Sequence, residues 1–242
     1  MNPTLLKRVQ ATWLKHFDLP ESIIQQPGTT MVERGKHSWI LLWTIGEHAV
    51  VEANSTRVDV VKPLLAKYPG DHVLTMHDIT TYLGDKIKIA QNDKLYMLDR
   101  AKFHPAKPAN DFTVRQLTSA DQSAFDAFLG NCPKEDREES DIGIDHEMTF
   151  ATFDGDRIIS AASAYDWRGF VDIGVLSDPT YRKKGLSKAA ATPLCKHFID
   201  KERVVIYRHD YDNYGSQGVA QGLGFTPYPD MGAIKPEDND KG

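Results

Sequence analysis

Apolar residues Leu5, Val9, Trp13 and Phe17 recur at four-residue spacing and predict an amphipathic helix over 3–17. Two short apolar runs follow, Trp39–Trp43 and Ala49–Glu52, separated by Gly46-Glu47-His48, and they read as adjacent strands. Leu64–Tyr68 has helical character with Pro63 at its uncertain start, and Leu95–Leu98 reads as a last strand of this half. Prolines and small residues between Phe103 and Asn110 then break the pattern, which predicts a linker over 104–111.

Beyond the linker the periodicities alternate more regularly. Thr113–Leu117 reads as a strand, Thr118-x-x-Asp121 as a capping pattern, and Phe125, Phe128 and Leu129 as one face of a helix ending near Gly130. Met148–Phe153 and Arg157–Tyr165 flank Asp154-Gly155-Asp156, a hairpin signal. Strand 170–176, a basic glycine-containing turn, a helix over about 185–200, strand 204–207 and a helix over about 214–223 complete the series. Pro193 falls inside the first of those helices, so it is expected either to be two pieces or to bend. The tail from Pro236 is polar and expected to be disordered.

Composition narrows the function classes. The chain has 242 residues, 40% of them hydrophobic and 26% charged, with a net charge of −5. Such a balance gives no basic footprint for nucleic acid. Cys132 and Cys195 are the two cysteines, with no metal or redox spacing, and the nine histidines form no ligand pattern. A reducing cytoplasm is the expected setting, with no bound metal, no signal peptide and no membrane span.

The candidate chemistry lies where strand 170–176 runs through Pro179 into Arg182-Lys183-Lys184-Gly185-Leu186-Ser187. A strand entering a basic, glycine-punctuated helix start offers free N–H groups and the positive end of a helix dipole to an anion. Further on comes a second element, Asn213-x-x-Ser216 followed by Leu223-Gly224-Phe225.

Together these two elements resemble the GNAT superfamily of acetyl-CoA-dependent N-acyltransferases, over residues 112–230. In that family a strand is followed by Arg/Gln-x-x-Gly-x-Gly/Ala, and Ser187 takes the last, small position here. The resemblance implies an α/β fold with a mixed sheet, a GNAT acyltransferase domain over 112–235; the stretch before the linker is not covered by it and reads from its own pattern as a smaller α+β domain over 1–103, and 236–242 is the tail. For the leading domain three readings stand side by side: a wall of the acceptor site, an inserted lid, or a degenerate copy of the same fold.

The resemblance also implies the site. Backbone N–H groups of Lys183, Lys184, Gly185, Leu186 and Ser187 would cradle the coenzyme A pyrophosphate, with the Arg182 and lysine charges beside them. Val175 and Leu176 would offer backbone groups to the pantetheine amides, and Asn213 and Ser216 would line the other side of the arm. The acceptor would be a primary amine on a small molecule or peptide, attacking the thioester in a ternary complex. An aliphatic ammonium must first lose a proton, which costs about 4.6 kcal/mol at pH 7. Glu147 and Asp172 are the candidate bases. The position where many relatives carry the tyrosine that protonates the leaving thiolate is Ala220, so Ser216 and Tyr211, with Tyr214 nearby, are the candidate donors. His209 reads either as a base or proton-wire member or as a loop residue, and the acidic run Lys134–Asp141 either as a solvated loop or as an attractor of cationic amines. A coenzyme A-binding or regulatory module without turnover is the alternative function, and a monomer or homodimer the expected assembly.

Overall fold

The computed structural model describes residues 2–35, 39–84, 87–91, 93–109, 111–228 and 232–236. The chain divides into two compact units, one comprising Met1–Arg8 with Leu95–Tyr228, the other Val9–Lys94 with Pro229–Gly242.

The smaller unit is built on a five-stranded sheet in the order β1 (Gly28–Glu33), β3 (His48–Ala53), β2 (Ile40–Ile45), β12 (Gly232–Pro236), β4 (Ile87–Gln91). Strands β2 and β3 form the expected antiparallel pair, from Ile45 opposite His48 to Ile40 opposite Ala53. Strand β1 adds in parallel to β3, and β12 pairs antiparallel with both β2 and β4. The core joins Ile40, Leu42, Val51 and Ile234 to Val61 and Leu64 of α2 (Val58–Lys67) and Ile79 of α3 (Met76–Leu83). In helix α1 (Pro3–Phe17) the residues Val9, Trp13 and Phe17 of the expected stripe are buried, and Trp13 packs on Trp43 with ring centroids 4.5 Å apart. Two polar side chains are buried here with partners: His48 contacts Thr30 Oγ1 and the Gln26 carbonyl, and Glu52 accepts from the Trp43 indole.

The larger unit is organised by a seven-stranded mixed sheet in the order β11 (Phe225–Pro227), β5 (Asp93–Leu98), β10 (Val205–Asp210), β9 (Phe170–Ser177), β8 (Arg157–Trp167), β7 (Met148–Asp154), β6 (Thr113–Gln116). Strands β6 to β9 are an antiparallel meander, with the hairpin closed by Asp154 opposite Arg157 around Gly155. Helix α6 (Leu186–Asp200) runs through Pro193 as a single element and buries Ala190, Leu194 and Phe198 against the sheet. Helix α7 (Tyr214–Leu223) adds Ala220 and Leu223 to that core. A separate cluster packs Phe125 and Phe128 of α4 (Gln122–Gly130) onto Ala151, Phe153 and Ile158.

Three sequence expectations change. Strand β5, read as the close of the first half, pairs instead with β11, with Leu98 opposite Phe225. The stretch expected as a linker lies within the extent of the larger unit: the His104 N–H donates to the Leu223 carbonyl and the Ala106 N–H to Thr192 Oγ1. Asn110 lies outside the described residues. The acidic run is a helix, α5 (Lys134–Ser140), with Pro133 at its N-cap and with Glu135 and Asp136 in its first turn, where carboxylates suit the positive end of the helix dipole. Of the tail, Pro236 closes β12 and residues 237–242 lie outside the described ones.

Candidate functional site

Strands β9 and β10 are parallel neighbours, yet they pair only at Val171 with Val205 and Asp172 with Ile206. Both continue, to Ser177 and to Asp210, without further pairing to each other. A parallel pair that stops pairing part-way leaves backbone N–H and C=O groups on two facing edges, ready for an extended ligand. A cavity of about 480 Å³ opens at this place, within the range of small-molecule and cofactor sites.

Its lining contains every residue proposed for the cofactor except Lys184: Val175 and Leu176 on β9, Arg182 to Ser187 at the mouth of α6, and Asn213 and Ser216 at the start of α7. The turn into α6 is fixed by Asp178, which is buried and accepts from the Thr180 N–H and hydroxyl while pairing with Arg157 at 2.6 Å. Lys183 and Gly185 then take left-handed backbone angles, φ 64° and 75°, and Gly185 is the N-cap of α6. A side chain on Gly185 would meet only the Lys188 methylenes at 3.8 Å, so the requirement for glycine is its backbone angle. The first helical turn thus presents its free N–H groups to the cavity.

Ser187, the departure from the family pattern, is oriented by its neighbours. Its hydroxyl lies 2.7 Å from Ser177 Oγ, which donates to Ser160 Oγ at 2.8 Å, and Ser160 donates to the Leu176 carbonyl. This serine chain ties the start of α6 to β8 and β9.

Across the opening, Asn213 caps α7 by accepting from the Ser216 N–H at 2.9 Å, and its amide donates to Glu139 of α5. Asp136 of the same helix pairs with Arg182. The end of α5 reaches the strand edge at Gly174, where a Cβ would stand 2.3 Å from the Ser140 carbonyl oxygen.

The candidate catalytic residues are distributed differently. Glu147 is outside the lining and bound by both its oxygens to Arg203. Asp172 is buried and also outside the lining; it accepts from Arg208 Nε at 2.7 Å and from the Tyr165 hydroxyl. Burial pushes its carboxyl above the ordinary value, against the downward pull of Arg208. Tyr211 is 59% exposed and Tyr214 75%, and neither lines the cavity. Ser216 does line it, in hydrogen-bonding reach of the Tyr207 phenol. Ala220 is fully buried in the core.

Sequence reading passed over Lys188, Tyr207 and Arg208, all of which line the cavity. Alternation along β10 carries the signal for Tyr207 once that strand is known to bound the opening, and Lys188 follows from being in the first turn of α6. No cluster of metal-ligating side chains occurs among the described residues, and no helix among them is long and apolar enough to cross a membrane.

A family model described as GNAT acetyltransferase matches residues 140–230. Among solved structures, a GNAT-family acetyltransferase from Colwellia psychrerythraea is similar with a TM-score of 0.53 at 14% identity, over 77% of this chain and 75% of that one. A functionally unknown conserved protein from Staphylococcus epidermidis is similar with a TM-score of 0.52 at 8% identity, over 85% of this chain and 94% of that one. A search of curated proteins gives no match. At such identities the solved structures speak for the fold, and the family match speaks for the segment that carries the two motifs. Residues 140–230 thus match the GNAT acetyltransferase family, on a fold similar to that of a solved GNAT-family acetyltransferase.

Proposed function

We propose that the protein is an N-acetyltransferase that moves the acetyl group of acetyl-CoA to a primary amine by direct attack. The observation that carries this reading is the opening of β9 and β10 onto a cavity bordered by the first turns of both α6 and α7. A cofactor arm laid there would complete the abandoned β-ladder through the Val175 and Leu176 backbone, with its pyrophosphate at the α6 N-terminus. The residues fit the group: Arg182 and Lys183 supply charge, Gly185 and Leu186 supply N–H groups, and the Ser187 hydroxyl is directed toward Ser177 rather than competing for phosphate oxygens.

Acetyl-CoA supplies the activated acyl group. The chain's own part is to hold the thioester between the strands and to manage protons. Ser216 is the one candidate donor placed at the cavity, and its hydroxyl would steady the departing sulfur. The thiol of coenzyme A is acidic enough to leave with that limited help. The acceptor is a small-molecule or peptide amine, and a cytoplasmic setting suits this chemistry.

Two measurements test the reading. Calorimetry with acetyl-CoA should show saturable binding that is lost or weakened at least tenfold in Arg182→Ala/Lys183→Ala, and thiol release should appear with members of an amine panel. No binding at millimolar acetyl-CoA would sink it. Binding without thiol release would favour the second reading, a coenzyme A-binding module, for which the aliphatic Ala220 at the usual acid position is the supporting observation.

A further inference from the structure

Among the described residues, His209 Nε2 is a buried side-chain nitrogen that has no hydrogen-bond partner. The residue is only 6% exposed, yet it belongs to the cavity lining. Buried polar atoms in native structures are satisfied as a rule, so an orphan at the wall of a ligand cavity calls for a functional explanation.

The remainder of the ring is firmly held. Its Nδ1 lies 2.7 Å from the Asp210 carbonyl oxygen, and a carbonyl can only accept. The proton of the neutral imidazole therefore sits on Nδ1, and Nε2 carries the bare lone pair. Tyr96 of β5 stacks on one face with centroids 5.2 Å apart, and Tyr207 stands edge-on at 6.3 Å. The ring has a fixed tautomer, a fixed plane, and one unused basic atom. His209 also sits on β10 beyond its last pair with β9, Asp172 with Ile206, where the strands have parted.

We infer that His209 is the general base of the acetyl transfer, its Nε2 accepting the proton of the acceptor ammonium directly or through one water. The inference rests on the acetyltransferase reading above. The ammonium N–H bond breaks and its proton passes to Nε2, leaving a neutral amine. Its lone pair forms the C–N bond as the C–S bond breaks, and the electron pair of that bond stays on sulfur. The second proton shed by the nitrogen goes to the thiolate, by way of Ser216 or water, and the imidazolium returns its proton to solvent. Of the three residues that the sequence offers as a base, His209 lines the cavity and Glu147 and Asp172 do not. The titratable groups packed on the ring are the Tyr96 and Tyr207 phenols, and the charged groups sharing the lining are Arg182, Lys183, Lys188, Arg208, Asp136 and Glu139.

The test compares wild type with His209→Asn, which keeps a donor near the Nδ1 position and deletes Nε2, and with His209→Gln as a second variant should the first fold poorly. The expected result is acetyl-CoA affinity within about threefold of wild type, thiol release slower by about a hundredfold or more, and loss of the acidic limb of the kcat/KM profile. Nitrogen-15 spectra of the wild-type side chain should show the proton on Nδ1. A variant that binds acetyl-CoA and turns over within threefold of wild type, with the acidic limb intact, overturns the inference, as does a proton found on Nε2. Should acetyl-CoA bind while no amine in the panel is acetylated, the acetyltransferase reading fails and the inference falls with it. Failure of wild type to bind acetyl-CoA would likewise count against the acetyltransferase reading, so the two failures are distinguishable.

Discussion

Gly174 pairs with Ser163 in the β8/β9 ladder and faces the end of α5 on its open side. A methyl there would meet the Ser140 oxygen at 2.3 Å and the Ile142 side chain at 3.1 Å. Gly174→Ala is therefore expected to cost about 1–3 kcal/mol, and, because the strained segment also borders the cavity, to weaken acetyl-CoA binding; thermal melts and calorimetry check the two effects. Gly185→Ala meets no steric obstacle and pays only for its left-handed angle, about 1–2 kcal/mol. The residues of the turn into α6 were legible in the sequence because their chemistry is local: a glycine at a helix start, with basic neighbours. Ser187 was legible as small but not as hydrogen-bonded, since Ser177 and Ser160 come to it from other strands. The catalytic assignments were the least legible. Whether Glu147 or Asp172 can act on a substrate depends on Arg203 and Arg208, each far along the chain from its carboxylate partner, and no spacing announces such pairs.

At the scale of elements, α5 illustrates how a charge run escapes sequence reading. Its carboxylates come in two adjacent pairs, Glu135-Asp136 and Glu138-Glu139, with no apolar stripe among them, so periodicity is silent, yet Asp136 and Glu139 engage Arg182 and Asn213, one at each helix start bordering the cavity. Both contacts are exposed enough to be weak, about 0.5–1 kcal/mol each. Asp136→Asn/Glu139→Gln is expected to free those groups for the cofactor, tightening acetyl-CoA binding about fivefold at low ionic strength, and to raise the KM of a cationic amine; both effects should fade at high salt. Calorimetry and steady-state kinetics at two salt concentrations check this.

The turn carrying Asp178 adds a pH dependence. Burial pushes the Asp178 carboxyl up, but Thr180 and Arg157 together hold it below its ordinary value. A depressed folded-state value means that the stabilisation is present above the unfolded carboxyl's pKa, about 3.9, and is lost as pH falls through the folded one. Asp178→Ala is expected to be less stable than wild type by about 2 kcal/mol at pH 7, with the difference shrinking as melts are taken below pH 4.

For the molecule as a whole, the order of strands along the larger unit's meander could be read directly, because hairpin turns join neighbours and each turn leaves a local mark. The smaller unit could not be assembled that way. Strand β12 pairs with Ile40–Leu42 on one side and with β4 on the other, although nearly two hundred residues separate it from β2. Only tertiary pairing shows that a segment so distant completes that sheet. Deleting residues 229–242 is expected to expose the β2 and β4 edges, raising amide exchange over residues 40–45 to the level of loops while β8 and β9 keep their protection; hydrogen exchange read by mass spectrometry checks it.

The position of β12 also bears on biosynthesis. Residues 232–236 leave the ribosome after all the strands they pair with and after the larger unit's segment, Leu95–Tyr228, has been made. During translation the β2 edge must therefore wait unpaired while the larger unit acquires its sheet, so the smaller unit, whose first strands are made before those of the larger, is completed after it. Such a waiting edge is an aggregation hazard, and one that would be relieved only when the final strand arrives between β2 and β4.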